Sequence, residues 1–261
     1  MFGFQIVKRE KFQSNFLRKV FFDIEFSQID TIKSKSGEIK SLFLDEFPRF
    51  SMGKDKGFQI SIDNNKTNFK HLDDNDNILL KSLDGQKEIL ITSNNLRLSI
   101  EGNSYSSYEE SIQYLFNNFK SVFEILNIDK ILKSSIRKIN LIEFGYDDKI
   151  PNGILDVLLN KALVYNDDAF PDMEKINLNI HNVNFNDGNY TLNLKYGMNT
   201  LPNLDKKLGQ LLIDLHVISN NNIQLIDLVD EITLLNDEIY NVFSWVINDN
   251  AKQLLKDENF R

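Results

Sequence analysis

The sequence contains no cysteine and only three histidines, His71, His181 and His216, among its 261 residues. Without thiols there are no disulfides, no cysteine-ligated zinc or iron–sulfur sites and no thiol catalysis. The histidines are far apart along the chain, which gives a Ser–His–acid triad little support. The eleven glycines never take the spacing of the two common phosphate-binding loops, so nucleotide binding through such loops is disfavoured.

Long apolar runs are also missing. No stretch approaches the roughly 18 consecutive apolar residues of a membrane-spanning helix, and the first residues lack the pattern of a secretory signal. The formal net charge is −8 and the pI is about 5.0, a balance that disfavours general binding to a polyanion but leaves room for a local basic patch. We therefore expect a cytoplasmic protein with no membrane span and no cofactor.

Hydrophobic periodicity predicts the elements of the first half of the chain. The predicted strands are Val20–Phe26, Phe58–Ile62, Ile89–Ile91 and Leu96–Ile100. A short helix around Leu42–Phe47 follows the first strand, and the polar stretch Asp63–Gln86 predicts an exposed loop. Ser107 and Glu110 have the spacing of a capping box, and the apolar residues after them recur every three or four positions. They predict a long helix ending near Leu126.

The second half shows the same sequence of patterns. The predicted strands are Asn140–Tyr146, Ile176–Ile180, Tyr190–Tyr196 and Leu211–Val217. A helix beginning at Pro151 follows the first of them, and a long helix with an apolar stripe from Val229 to Val246 closes the half.

Each half therefore contains a strand, a helix, three strands and a long helix. We predict an α+β fold of two tandem β-α-β-β-β-α repeats, residues 1–134 and 135–261, folded as one unit. Joined edge to edge, the repeats would form a continuous antiparallel sheet with the two long helices on one face. This arrangement resembles the saddle of the TATA-binding protein, a similarity of fold that does not imply DNA binding.

Three stretches carry a resemblance to a sporadically distributed family of uncharacterised bacterial proteins. They are residues 17–26, residues 105–110 with the following helix to 142, and residues 237–243 with 248–251. Members of this family are often encoded near phage-defence and mobile-element genes. The resemblance therefore implies a partner-dependent role in bacterial defence or in a toxin–antitoxin-type module, and it implies no catalytic motif.

The acidic cluster Asp73–Asn77 offers oxygen atoms of the kind that Ca²⁺ or Mg²⁺ prefers. It lacks the glycine at the sixth position and the closing glutamate of a calcium-binding loop. We expect a solvated loop there and predict no metal site.

Asp214 and His216 form the most suggestive pair of polar residues. They share one face of a predicted strand, opposite the apolar stripe of Leu211, Ile213 and Leu215, and lie about 7 Å apart along it. If that stripe meets the helices, the pair lies on the open face of the sheet, where it would bind a ligand or act as base and orienter. The simpler interpretation is that both are solvated or interface side chains.

Three further residues are candidates for binding. By the same alternation, Arg97 and Lys195 point to the open face and with His216 would form a positive patch, although solubility alone favours a charged outer face. Trp245 lies beside the apolar stripe of the last helix, as a core or edge contact or as an anchor for a partner.

The leading hypothesis is a non-enzymatic binding or regulatory protein that acts through a ligand or a protein partner encoded nearby, with a homo-oligomer as a further option. Its candidate binding residues are Arg97, Lys195, Asp214, His216 and Trp245, and no catalytic residue is predicted. The alternatives are an enzyme centred on Asp214 and His216, and a nucleic-acid-binding protein that uses Arg97 and Lys195.

Overall fold

The structure is a computed structural model. It describes residues 1–10, 12, 16–55, 58–63, 66–71, 75–145, 153–164, 178–201 and 208–257. The strands are β1 (Leu17–Phe26), β2 (Arg49–Asp55), β3 (Phe58–Asp63), β4 (Lys66–His71), β5 (Asn75–Lys81), β6 (Lys87–Ile91), β7 (Asn95–Glu101), β8 (Lys130–Gly145), β9 (Leu178–Asn186), β10 (Tyr190–Leu201), β11 (Leu208–Ser219) and β12 (Ile223–Gln224). The α-helices are α1 (Ile32–Phe43), α2 (Tyr108–Leu126), α3 (Gly153–Leu158), α4 (Leu228–Val246) and α5 (Asp249–Lys256).

The fold is α+β and is built on a large antiparallel sheet, as predicted. Within the described residues, the strand order is β2-β5-β6-β7-β1-β8-β11-β10-β9, with β12 paired to β8. Strands β3 and β4 pair with each other as a separate hairpin. The sheet holds mainly long, regular strands because β-branched and aromatic residues alternate with polar ones along them.

The chain divides into two compact units that are not continuous in sequence. Unit 1 comprises Met1–Phe21, Ser135–Asn221 and Asp230–Arg261. Unit 2 comprises Phe22–Ser134 and Asn222–Val229. Strands β1 and β8 are each divided between the two units. The boundaries of these units do not test the predicted repeats, residues 1–134 and 135–261, which stay a prediction.

The core of unit 2 joins β1 to α1 and α2 through aromatic side chains. Phe26 of β1 meets Phe123 of α2 edge to face at 6.3 Å between ring centroids, and Phe43 of α1 lies 6.5 Å from Phe119. Helix α2 begins where it was predicted, because the Ser107 hydroxyl accepts a hydrogen bond from the Glu110 amide at 3.1 Å. The capping serine and the apolar stripe of α2 are thus confirmed.

The core of unit 1 is built on alternating residues of β10 and β11. The buried apolar residues of these strands are Leu192, Leu194, Tyr196, Met198, Leu211, Ile213, Leu215 and Val217. Helix α4 carries its own buried stripe, formed by Ile232, Leu235, Ile239, Val242 and Val246. The predicted strands and the predicted long helix in this part of the chain are confirmed.

Three predictions for the first half are wrong. The helix after β1 is α1 (Ile32–Phe43), so the helix predicted around Leu42–Phe47 is misplaced over most of its length. The stretch Asp63–Gln86 is not a loop, because β4 and β5 lie within it, and Ile78 and Leu80 of β5 are fully buried. Among the described residues between α1 and α2 there are six strands, where three were predicted. The short alternation of β5 is surrounded by Asp and Asn residues that gave this region the composition of a loop.

Candidate functional site

Strands β10 and β11 present a polar face opposite their buried one. The antiparallel register places Lys195 directly opposite Asp214 and Asn193 directly opposite His216. Residues opposite one another in a ladder point to the same face of the sheet. The structure therefore brings together three of the predicted site residues, Lys195, Asp214 and His216.

A residue of β8 completes this group. Arg137 donates from Nε to Oδ1 of Asp214 at 2.8 Å and from Nη2 to Oδ2 at 2.6 Å. The Asp214 side chain is only 8% exposed, whereas that of Arg137 is 42% exposed. A bidentate pair fixes the plane of the guanidinium, so the buried carboxylate holds a half-exposed cation in one orientation.

The guanidinium of Arg137 also lies over an aromatic ring. Its Cζ is 5.9 Å from the ring centroid of Phe21, and the ammonium of Lys19 is 5.4 Å from the same centroid. Both distances are within the range of cation–π attraction. Phe21 thus contacts two positive charges, and one of them, Arg137, pairs with Asp214.

His216 has a matching partner on β8. Its Nε2 lies 3.1 Å from the hydroxyl oxygen of Ser135, which is itself buried. Ser135 and Arg137 are two residues apart on β8, as are His216 and Asp214 on β11, so successive positions of neighbouring strands pair on one face. We call Lys19, Ser135, Arg137, Lys195, Asp214 and His216 the polar face.

The polar face points away from α4. Lys138, the neighbour of Arg137 on β8, donates to Oδ1 of Asn236 in α4 at 2.8 Å. Successive side chains of a strand point to opposite faces, so Arg137 lies on the face that α4 does not cover. This agrees with the predicted placement of Asp214 and His216 opposite the apolar stripe.

Arg97 belongs to unit 2, where it has an acidic partner. Its Nε donates to Oδ1 of Asp23 at 2.6 Å, and 45% of its side chain is exposed. The Asp23 carboxylate offsets the positive charge of Arg97. Within unit 1, Lys19 and Arg137 are cations of the polar face that sequence reasoning did not select.

Trp245 contacts the beginning of the chain. Its ring lies 5.1 Å from that of Phe4, and its backbone oxygen accepts a hydrogen bond from Nδ2 of Asn160 at 2.9 Å. Phe4 also meets Phe185 of β9 edge to face at 5.5 Å. Trp245 is therefore a half-buried edge contact, one of the two structural roles expected for it.

We call residues 1–10 the N-terminal arm. Its backbone is held by side chains of α4, because the amides of Phe2 and Val7 donate to Glu238 at 3.0 Å and to Asn241 at 3.1 Å. The Glu10 carboxylate pairs with Lys256 at 2.6 Å, and this hydrogen bond lowers the pKa of Glu10. The arm is thus attached by polar contacts along its length and by Phe4 near its start.

No group of three or more metal-ligating side chains occurs in the part of the chain that the structure describes. Of the acidic cluster Asp73–Asn77, residues 75–77 begin β5 and residues 73 and 74 lie outside the described residues. Among the helices in the described ranges, none is both long and apolar enough to cross a bilayer.

The comparisons with known proteins add no family. No known family model matches the chain, and a search of curated proteins found no matching relative.

Proposed function

We propose that this is a non-enzymatic binding protein whose polar face binds a partner of complementary negative charge. The observation that carries this proposal is the Arg137–Asp214 pair, in which a buried carboxylate holds a half-exposed guanidinium on the side of the sheet opposite α4. Arginine is among the residues that contribute most to binding energy at protein interfaces.

The charges of the polar face support an acidic partner. Lys19, Arg137 and Lys195 are cations, and Asp214 supplies the compensating carboxylate. The chain as a whole carries a formal net charge of −8, so this cluster differs in sign from the molecule around it. Opposite local charge steers association and excludes partners of the wrong sign.

The geometry also favours a fixed binding surface. The Arg137 guanidinium is oriented by two hydrogen bonds and by the ring of Phe21. Side chains that are already ordered lose less conformational entropy when a partner binds. The smaller loss of conformational entropy supports a role for Arg137 in recognition.

The resemblance of the sequence to proteins near phage-defence genes supports a setting for this binding. We place the protein in a bacterial defence or toxin–antitoxin-type module in the cytoplasm, with a protein partner encoded nearby and self-association as an alternative. The finer fold proposal is two tandem repeats with both long helices on one face, and the strand order supports the repeat. In each half the first strand neighbours a late strand of the same half, β1 beside β7 and β8 beside β11, and the short β12 that precedes α4 also pairs with β8.

Affinity capture from the source bacterium tests the proposal. The tagged chain is expressed at its native level, and partners are quantified by mass spectrometry for the parent protein, K195A and R137A. Lys120, an exposed residue of α2, provides the matched control K120A. We expect a stoichiometric partner that K120A retains and that K195A and R137A each reduce at least tenfold. Equal recovery by all four proteins, or no partner at all, contradicts the proposal.

An enzyme centred on Asp214 and His216 is the second candidate. A base-and-orienter pair needs the carboxylate to accept a hydrogen bond from the imidazole, but both oxygens of Asp214 already accept hydrogen bonds from Arg137, and Nε2 of His216 faces Ser135. This pairing favours binding over general-base catalysis. The enzyme alternative is supported if the parent protein shows a turnover that D214A/H216A abolishes, while the variant keeps the melting temperature of the parent protein.

Nucleic-acid binding is the third candidate. It requires affinity that falls steeply with salt, because each neutralised phosphate releases counterions. Nuclease treatment before capture separates this alternative from a protein partner. Loss of the captured partner after nuclease treatment favours nucleic acid as the bridging ligand.

A further inference from the structure

A cleft of about 420 Å³ lies in unit 1, beside the N-terminal arm and around the junction of α4 with α5. Its lining includes Gln5, Val7, Lys161, Asn241, Trp245 and Lys252. This volume lies toward the lower end of the range of small-molecule sites. None of its lining residues belongs to the polar face, so the inference below does not depend on the proposed function.

Two asparagines fix the wall of the cleft. Asn160 donates to the backbone oxygen of Trp245 at 2.9 Å and accepts from the Ala162 amide at 3.0 Å. Asn248 donates to the backbone oxygen of Val157 at 2.7 Å and accepts from the Ala251 amide at the start of α5 at 3.1 Å. Their amide groups are therefore used to build the cleft.

A third asparagine offers a donor to the cleft. The Oδ1 atom of Asn241 accepts the Val7 amide, so its NH₂ group is what remains for a ligand. Asn241 is only 7% exposed, and it is held in place by the N-terminal arm. A fixed, buried amide donor is typical of a group that orients a bound polar molecule.

The charged side chains of the cleft favour an anion. Lys161 and Lys252 both line it, against the single carboxylate of Asp249. The Asp249 side chain is 96% exposed, and its 3.9 Å separation from the Lys252 ammonium is long for an ion pair. Water screens the exposed Lys161 and Asp249 alike, and two ammonium groups line the cleft against one carboxylate, so its formal charge is positive.

We propose that this cleft binds a small molecule through an oxyanion, a phosphate or a carboxylate. Lys161 and Lys252 supply the charge, the Asn241 amide supplies an oriented hydrogen bond, and the Trp245 side chain flanks the rest of the molecule. The N-terminal arm contributes Gln5 and Val7 to the wall, so a bound ligand also stabilises the attachment of the arm.

The fluorescence of Trp245 reports binding directly, because it is the only tryptophan of the chain. The full-length protein is titrated with inorganic phosphate and, separately, with acetate, at an ionic strength held constant with sodium chloride. We expect a saturable change in emission, and the tighter of the two anions identifies the oxyanion. K161A/K252A should weaken binding at least tenfold, while K120A should leave it unchanged.

Two results would overturn this inference. One is a tryptophan emission that depends only on the chloride concentration, whether phosphate or acetate is added. The other is an affinity that K161A/K252A leaves unchanged. Both lysines contribute charge at the surface, so the double variant is expected to keep the melting temperature of the parent protein. Capture of a partner on the polar face is a separate measurement that neither result affects.

Discussion

Arg137 of β8 and Asp214 of β11 form a bidentate ion pair although they are 77 residues apart in sequence. The pair joins two neighbouring strands of the sheet through their side chains, and it leaves the guanidinium half exposed. It is therefore both a structural contact of unit 1 and the centre of the surface that we propose for binding.

Replacing Arg137 should destabilise the protein more than replacing both partners. R137A leaves the buried Asp214 carboxylate without its cation, and we expect a loss of about 1 to 3 kcal/mol in the free energy of unfolding. The double variant R137A/D214N should recover part of that loss, because it removes the buried charge. Urea unfolding of the parent protein, R137A, D214N and R137A/D214N measures the coupling, and purely additive effects would show that the pair is not coupled.

Gly197 is required by the geometry of β10. Its φ is +144°, and a Cβ atom placed there would lie 1.9 Å from the backbone oxygen of Asn179 in β9. We expect G197A to lower the free energy of unfolding by about 3 kcal/mol or more, since the backbone must shift.

Gly188 provides the control for this prediction. Its φ is also positive, at +93°, but a Cβ atom there would meet nothing within 4 Å. We expect G188A to cost only the strain of a left-handed residue, about 1 to 2 kcal/mol. Equal losses in the two variants, measured by urea unfolding, would contradict the close approach of β10 to β9.

The N-terminal arm should shield Trp245 from water. Phe4 packs against its ring, so F4A should shift the tryptophan emission to longer wavelength and lower the melting temperature slightly. Ile6 of the same arm is 86% exposed, and I6A should change neither quantity. An F4A spectrum identical to that of the parent protein would show that the arm does not cover Trp245.

The attachment of the arm should weaken in acid. Hydrogen bonding to Lys256 lowers the pKa of Glu10 below its ordinary value of 4.5. A group whose pKa is lowered by folding stabilises the folded form above its unfolded pKa, and this contribution is lost as the pH falls through the folded pKa. Trp245 emission should therefore shift below about pH 4.5 in the parent protein, and E10Q should lack that component.

Asp249 offers the matched acidic control. Its side chain is almost fully exposed and its nearest lysine is 3.9 Å away, so D249N should retain the acid-dependent shift of the parent protein. If E10Q and D249N titrate identically, Glu10 does not anchor the arm.

The elements with long periodic patterns could be predicted from the sequence. Helix α2 has a capping serine and an apolar stripe over its whole length, and β11 alternates over most of its twelve residues. Strand β5 was missed because its buried residues, Ile78 and Leu80, form too short an alternation inside a polar stretch. Periodicity needs several repeats before it separates a strand from a loop.

The candidate site was predicted only in part, for a different physical reason. Alternation within β11 placed Asp214 and His216 on one face correctly. Their partners Arg137 and Ser135 depend on the pairing of β8 with β11, which no local pattern specifies. Extending the alternation of Ile139 and Leu141 toward the start of β8 would have put Arg137 and Ser135 on one face of that strand, the face that Ile139 and Leu141 share.

Site-specific photocrosslinking tests the central claim most directly. A photoreactive residue is incorporated at Lys195, on the polar face, or at Lys120 of α2, and the cells are irradiated. The account predicts one crosslinked partner from position 195 that is absent from position 120 and is lost when R137A is added. Crosslinking of the same species from both positions, or from neither, would contradict a binding surface built around Arg137 and Asp214.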